Sequence, residues 1–322
     1  MPFLFMFVKI LNMKRFLNSF LAITLVLFTS CNQNKKEVAV RRAIDTTIDT
    51  IGSGTGFLKH LHKKRTFKFY DQTLEKYLAS SPLRPDDTHK VIYLLPVGTI
   101  DSSLVDLIKN EQDYLQRFFQ LDVKVLPGVG MDDLKNVNKV ETRLHSSTHI
   151  YGKESNEAAL EQVEAHSLII NYIVPNKPKD AVAILGITEY DIYLQDYNYI
   201  FGTSDLHAGT GLISLYRLKN LAGIRNVASK QITNLFSIPN TKDYDCLLNY
   251  HDNVEDQEAG VSFLSPLALQ KLKISIGFDF KKRFEDLEEF WKQQSDIENA
   301  RYYTNCLKAL RDSPIYTTSA NK

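Results

Sequence analysis

The chain has little cysteine. Cys31, Cys246 and Cys306 are the only three among its 322 residues. A small secreted scaffold held together by disulfides needs a denser set of cysteines, so the sequence excludes that class. Cys31 is assigned to lipid attachment below. We interpret Cys246 and Cys306 as buried free thiols, because two cysteines on separate segments need not lie close together.

An excess of charge of either sign is also missing. Lys and Arg together number 39 and Asp and Glu 38, which gives a net charge of +1. Without a basic surplus there is no reason to expect nucleic acid or an anionic membrane surface as a partner. No internal repeat is present. Hydrophobic residues make up 43% of the chain, enough for the core of one large domain.

The N-terminal region has the pattern of an export signal. A charged start at Met13-Lys14-Arg15 is followed by an apolar stretch over residues 16–28 and by small residues before Cys31. This pattern resembles a bacterial lipoprotein signal peptide, which implies cleavage before Cys31 and acylation of its thiol. A single membrane-spanning anchor or an uncleaved signal is the alternative. The apolar run is shorter than the roughly 20 residues that such a span requires, so we favour lipidation.

The signal sets the expected organisation of the chain. Acylated Cys31 would attach the mature protein to the lipid bilayer. Asn32 follows it rather than Asp, so we expect the outer membrane, facing the periplasm or the cell surface. Residues 1–30 are the predicted signal peptide, of which 1–12 form an upstream extension. A polar tether (31–56), an N-terminal extension (57–89) and the main domain (90–322) follow.

Apolar spacing in the main domain predicts an α/β fold with a helical C-terminal half. A β-α-β unit opens it, with strands over 90–96 and 123–126 around a helix over 102–119. Further strands are predicted over 181–187 and 212–215. Further helices are predicted over 157–172 and 225–236, and a helical region around Trp291 is predicted over 280–310.

Residues 230–240, KQITNLFSIPN, have the length and apolar rhythm of the zinc-protease motif H-E-x-x-H-x-x-G-x-x-H. In that motif the three His bind zinc, the Glu is the general base and the Gly turns the chain. The corresponding residues here are Lys230, Gln231, Asn234, Ser237 and Asn240. An ammonium group only donates, and amides are poor zinc ligands. An ordinary amphipathic helix is the alternative interpretation, and it makes the same prediction.

The flanking segments AILGITEYDIY (183–193), NYIFG (198–202) and GLISLYRL (211–218) favour the motif interpretation. In order and spacing the chain resembles the archaemetzincin family of zinc metallopeptidases from about residue 91 to 272. The resemblance implies a metzincin-like mixed sheet with helices, a degenerate active-site helix and a Met-turn-like segment. It also implies that no residue retains a catalytic role.

The same resemblance places Leu248 at the Met-turn position beneath the metal. It also assigns four positions to the cysteines of a second zinc site, and here these are Thr241, Cys246, Ser265 and Ala268. One thiolate cannot hold a structural zinc that needs four ligands. We therefore expect no cofactor, with zinc present only if other residues bind it.

Three functional classes fit these observations. The first is a catalytically inactive lipoprotein whose cleft binds a peptide or an envelope protein. The second is an active zinc peptidase with ligands outside the motif, such as His207 or His251. The third is a purely structural envelope protein. We favour the first, because metzincin-type proteases hold substrate by strand addition, and this does not depend on the metal.

Overall fold

The computed structural model describes residues 72–98, 102–130, 140–145, 160–241 and 245–311. The predicted signal peptide, Cys31 and the tether lie outside these ranges. The strands of the described part are β1 (Val91–Val97), β2 (Val123–Val125), β3 (Thr142–His145), β4 (Leu160–Glu164), β5 (Ala181–Thr188), β6 (Asp191–Tyr193), β7 (Gly202–Asp205) and β8 (Thr210–Ser214). Its α-helices are α1 (Leu74–Ala79), α2 (Ser102–Phe119), α3 (Ala165–Leu168), α4 (Leu221–Leu235), α5 (Val254–Glu258), α6 (Pro266–Ile276), α7 (Phe280–Gln293) and α8 (Ile297–Arg311).

The main sheet has the strand order β2-β1-β5-β8-β7. Its first four strands run parallel, and β7 pairs antiparallel with β8 at the edge. Every residue of β1 and β5 is buried. Continuous apolar strands of this kind are typical of a parallel sheet that is covered on both faces. The α/β fold class predicted from the sequence is confirmed.

The larger of two hydrophobic clusters joins one face of this sheet to α2, α4 and the three C-terminal helices. Trp291 of α7 is fully buried there, with its ring 5.5 Å from Tyr114 and 5.3 Å from Phe290. The smaller cluster covers the opposite face and includes a π-helical turn, Ile169–Ile173. Within the described residues, no helix is both long and apolar enough to span a membrane.

The helix predicted over 157–172 is partly wrong. Residues Leu160–Glu164 form β4, the central strand of a second, three-stranded sheet ordered β3-β4-β6. Strand β4 pairs antiparallel with β3 and parallel with β6, and β6 lies about thirty residues further along the chain. Its buried Gln162 donates a hydrogen bond of 2.6 Å to Asp191. Local apolar spacing does not indicate pairing with distant strands. The sequence of β4 was therefore interpreted as part of a helix.

The start of one other helix also differs from the prediction. Helix α4 begins at Leu221 rather than 225, because the Asn220 side chain caps it by accepting a hydrogen bond from Gly223 N at 2.7 Å. The helical region predicted over 280–310 is confirmed, and it consists of two helices, α7 and α8. Ser295 lies between them with φ of 57°, a left-handed conformation that ends α7.

Candidate functional site

Helix α4 carries the residues predicted to replace the zinc motif. It packs against β7 and β8, and most of its length is buried. Val227, Lys230 and Gln231 are spaced i, i+3 and i+4, so they share one face of the helix. All three line the same pocket, which has a volume of about 560 Å³. This size is typical of a small-ligand site.

The pocket is bounded by four segments besides α4. Residues 197–202 form one wall, together with Leu194, and include the apolar side chains of Ile200 and Phe201. Residues 250–252 and Gln257 of α5 also line the pocket, with the Tyr199 hydroxyl donating to the backbone oxygen of Asp252 at 3.3 Å, and Asn240 lies at the end of the degenerate motif. One part of the lining is apolar and consists of Leu194, Ile200 and Phe201. The α4 face of the pocket instead carries the ammonium group of Lys230 and the amide of Gln231.

Lys230 is 6% exposed and donates a hydrogen bond to the backbone oxygen of Asn249 at 2.5 Å. Gln231 packs over two glycines of the sheet edge. A Cβ added to Gly202 would lie 3.2 Å from Gln231 Cγ and 2.8 Å from the oxygen of Leu212. A Cβ added to Gly211 would lie 3.7 Å from Gln231 Cβ. The absence of side chains at these glycines therefore lets α4 approach the sheet closely.

The two asparagines of the motif behave differently. Among the described residues, Asn234 Oδ1 and Asn240 Oδ1 are both buried without a hydrogen-bond partner. Asn240 lines the pocket and Asn234 does not. The structure therefore brings three of the four predicted positions together, namely Lys230, Gln231 and Asn240.

Ser237 stands where the motif has its glycine. Its φ is 63°, in the left-handed region that glycine adopts without steric cost. The chain turns at this residue, directly after α4 ends. This backbone geometry matches the role that the motif gives to its glycine, although the serine itself provides no such freedom.

The Met-turn-like segment is a tight turn. Asn249 N donates to the Cys246 oxygen at 3.0 Å, and Asn249 Oδ1 accepts from Cys246 N at 2.9 Å. Leu248 is 1% exposed and belongs to the same buried cluster as Ile232 and Leu235 of α4. Its oxygen accepts a hydrogen bond from Thr241 N at 3.0 Å.

The four positions assigned to a second zinc have other roles here. Thr241 N donates to the backbone oxygen of Leu248, and the Asn249 side-chain amide donates to the backbone oxygen of Thr241 at 3.0 Å. Ser265 caps α6 by accepting a hydrogen bond from Ala268 N at 3.3 Å. Burial raises the pKa of the Cys246 thiol to about 11, which makes it unreactive.

The prediction of buried free thiols is confirmed for Cys246 and Cys306. Burial raises the pKa of Cys306 to about 12.

A polar network behind the pocket wall was not anticipated from the sequence. Arg217 binds buried Asp191 through two hydrogen bonds of 2.8 and 2.6 Å, and Gln162 donates to the same carboxylate. Gln162 also donates to the oxygen of Asn198 at 2.9 Å, while the Arg217 guanidinium lies 4.0 Å from the Tyr199 ring centroid. The network therefore fixes the wall of the pocket. Asp191 and Arg217 both fall within the segments 183–193 and 211–218, and that position is the sequence signal that could have found them.

The histidines of the described segments do not assemble around the pocket. His251 lines it, whereas His207 lies in an exposed turn between β7 and β8 and His166 is exposed on α3. In the part of the chain that the structure describes, no group of three or more His, Cys, Asp or Glu could hold a metal ion.

Comparison with known proteins identifies relatives of the chain. It is 24% identical over 248 residues to Archaemetzincin-2 of Rattus norvegicus, a match that covers 64% of this chain and 65% of the relative. It is 21% identical over 199 residues to Archaemetzincin of Pyrococcus furiosus, covering 58% of this chain and 94% of the relative. The chain is an archaemetzincin relative. No family model matches it. The matched part of the chain spans slightly less than two thirds of the length of the rat protein.

Solved structures of archaemetzincins also resemble the chain. That of Archaemetzincin from Methanopyrus kandleri gives a TM-score of 0.43 at 14% identity, covering 59% of this chain and 98% of the other. Archaemetzincin from Archaeoglobus fulgidus, complexed with malonate, gives 0.40 at 18% identity, covering 56% and 99%.

The comparisons correct one prediction. The expectation of no cofactor is wrong, because the archaemetzincin relatives point to zinc. The donors at the described pocket do not fit that ion, since the pocket places only one imidazole, that of His251, and one exposed carboxylate, that of Asp252, beside an ammonium and four amides. No catalytic step through zinc is therefore derived from these residues.

Proposed function

We propose that this archaemetzincin relative is a lipid-anchored protein that binds a peptide in its pocket without hydrolysing it. The observation that carries the proposal is the position of the pocket over Lys230 and Gln231 on α4. The resemblance places a zinc ligand and the general base at these two residues. A pocket therefore lies over these two positions, but their side chains are an ammonium and an amide instead of an imidazole and a carboxylate.

The inactivity follows from the side chain at position 231. A metallopeptidase needs a base that takes a proton from the attacking water. The Gln231 amide does not accept a proton near neutral pH. Among the described residues that line the pocket, only Asp252 carries a carboxylate, and it is exposed and accepts a hydrogen bond from Asn253 at 3.2 Å. Neither side chain replaces the missing Glu on α4.

Strand β7 supports the binding of an extended peptide. It is an edge strand of the main sheet and pairs with β8 on one side. Its first residue, Gly202, lines the pocket. A peptide that pairs with β7 would gain main-chain hydrogen bonds and place a side chain or terminus in the pocket. Such binding needs no metal.

Asn240 gives this proposal a specific test. Its buried Oδ1 has no hydrogen-bond partner among the described residues, and such a group costs about 1–3 kcal/mol of stability. A peptide N–H that enters the pocket would supply the missing donor. Asn240→Ala is therefore expected to stabilise the unliganded protein and to weaken peptide binding. A buried residue with no role in binding would not combine a gain of stability with a loss of peptide binding.

Asn234→Ala is the matched control, because Asn234 Oδ1 is also buried without a partner in the described structure but lies outside the pocket lining. A degenerate pool of N-acetylated peptides serves as the probe, with binding measured by ligand-observed NMR. Both variants should raise the melting temperature, and only Asn240→Ala should reduce binding. Absence of binding to the native protein would favour a purely structural role.

The proposed location is the bacterial cell envelope, with acylated Cys31 in the outer membrane and the domain facing the periplasm or the surface. Support comes from the signal-like sequence before Cys31. The peptide partner is then a segment of an envelope protein, and nucleic acid is not proposed as a partner.

A second candidate is a zinc-dependent peptidase, and the relatives favour it. Its zinc would need ligands outside the motif, with His251 as the first to test. Cleavage that requires zinc and is lost in His251→Ala would support this candidate over the first.

A further inference from the structure

The turn that leads from α4 towards the pocket is held by the N-terminal end of the described chain. Tyr77 of α1 donates a hydrogen bond of 3.2 Å to the backbone oxygen of Phe236, and Gln72 donates one of 3.0 Å to the backbone oxygen of Ser237. Phe236 and Ser237 directly follow the last residue of α4. Carbonyl groups at this end of a helix have no partner within it. Side chains 159 and 165 positions away in the sequence supply the partners here.

We call residues 72–79 the N-terminal strap, and side chains of α6 hold it in place. Lys271 donates to the backbone oxygen of Gln72 at 2.5 Å and to its Oε1 at 3.0 Å. Tyr77 is fully buried, and its hydroxyl is also hydrogen-bonded to Ser275 Oγ. Lys271 and Ser275 are themselves buried. The strap is therefore fixed to α6 on one side and to the turn after α4 on the other.

Asn240 follows this turn closely and lines the pocket. Pro239 precedes it, and the fixed φ of proline limits how far the chain can move between Ser237 and Asn240. On the other side of Asn240, Thr241 N donates to the Leu248 oxygen at 3.0 Å. The position of Asn240 is therefore set by two anchors, the strap at Ser237 and the Met-turn-like segment at Thr241.

We infer that Gln72 and Tyr77 are positioning residues for the pocket: they hold the turn after α4, and the turn holds Asn240 where it contacts a ligand. Neither is among the described residues that line the pocket, so both act through the backbone of residues 236 and 237. The N-terminal extension and the pocket are thereby coupled through hydrogen bonds and a short stretch of backbone. The effect on binding rests on the proposed peptide-binding function, but the position of Asn240 is measurable without a ligand.

The test uses the full-length protein in detergent, labelled with ¹⁵N at asparagine. The Asn240 signals are those that disappear in Asn240→Ala. Tyr77→Phe removes only the hydroxyl that binds Phe236, and Gln72→Leu removes the amide that binds Ser237. Both variants should shift the Asn240 signals. Both should also weaken binding of the N-acetylated peptide pool about three- to tenfold, the range expected when the hydrogen bond from the ligand to Asn240 is lost.

Two matched controls make the same chemical changes elsewhere. Tyr93→Phe removes a hydroxyl that donates to Asp180 at 3.0 Å, and Gln112→Leu removes an amide that donates to the backbone oxygen of Val123 at 2.7 Å. Neither Tyr93 nor Gln112 lines the pocket. Both controls should lower the melting temperature without affecting the strap, so they show the effect of stability alone. They should leave the Asn240 signals and peptide binding unchanged.

The outcomes separate the inference from the proposed function. Unshifted Asn240 signals in both strap variants, or equal shifts in the controls, would overturn the inference. Shifted signals with peptide binding as tight as that of the native protein would overturn it as well. If no peptide binds the native protein, the peptide-binding proposal fails, whereas shifted Asn240 signals still support the strap as the element that positions Asn240. Gln72 is half-buried, so Gln72→Leu gives the answer even if Tyr77→Phe does not fold.

Discussion

The Lys230 ammonium group lies 2.5 Å from the backbone oxygen of Asn249 and donates a hydrogen bond to it. This bond joins α4 to the turn formed by residues 246–249. By resemblance, a zinc ligand would stand at position 230 and a methionine beneath the metal at 248. In the structure, a lysine and an apolar floor connect the same two segments directly.

Leu248→Ala should cost about 2–5 kcal/mol, because Leu248 is 1% exposed within the main core and its truncation leaves a cavity. Gln231→Ala, on the pocket face, should cost much less. Urea denaturation of both variants measures the contrast. A harmless Leu248→Ala beside a severe Gln231→Ala would show that residues 230–250 are misaligned with the motif.

Ser237→Gly should stabilise the protein by up to about 1 kcal/mol. The change relieves the left-handed conformation at φ of 63°, and the greater freedom of glycine in the unfolded chain offsets part of the gain. Ser237→Val should destabilise it, since a β-branched side chain is strained there. The positive φ at this position would be contradicted if the valine variant were as stable as the glycine variant in thermal denaturation.

Glu111 should make stability depend on pH. Burial raises the pKa of Glu111 to about 8 despite Arg225 Nε at 3.4 Å, and neither carboxylate oxygen has a hydrogen-bond partner among the described residues. In the unfolded chain the Glu111 carboxyl titrates near pH 4.3. The stability that the folded protein gains by keeping Glu111 protonated is therefore complete below that pH and is lost as pH rises through about 8.

Glu111→Gln should therefore resemble the native protein at pH 5 and be the more stable of the two at pH 9. Glu289→Gln removes an exposed ion pair with Arg117 and serves as the control. Denaturation at both pH values provides the measurement. A variant that is most destabilised at pH 9 would instead mean that Glu111 is ionised and stabilised by Arg225.

Cys31→Ser should move the protein from the membrane fraction to the soluble fraction or block its maturation. The reason is that the acylated thiol is the proposed anchor. Mass spectrometry of the N-terminal peptide provides an independent measurement. Unchanged detergent dependence together with an unmodified Cys31 would rule the anchor out.

The sequence predicted those parts of the fold whose signal is local. Helix α2 was placed correctly because its apolar residues recur at helical spacing over 18 residues. Strands β1 and β5 were found because each is a continuous apolar run. The second sheet was missed because β3, β4 and β6 have five residues or fewer and are held together by distant partners such as Gln162 and Asp191.

The site was predicted in outline for a different reason. The resemblance to the zinc-protease motif placed Lys230, Gln231 and Asn240 at one cleft, and all three line the pocket. The exclusion of Asn234 depends on its side-chain direction, which spacing alone does not specify. The wall network around Asp191 depends on three separate segments that the fold brings together.

Incubation of the purified protein with a peptide pool in the presence of added zinc tests the central claim most directly. The account predicts that bound peptides are recovered intact by mass spectrometry, because Gln231 cannot act as the general base. New peptide termini that accumulate with zinc, and that disappear in His251→Ala, would contradict it and establish a peptidase.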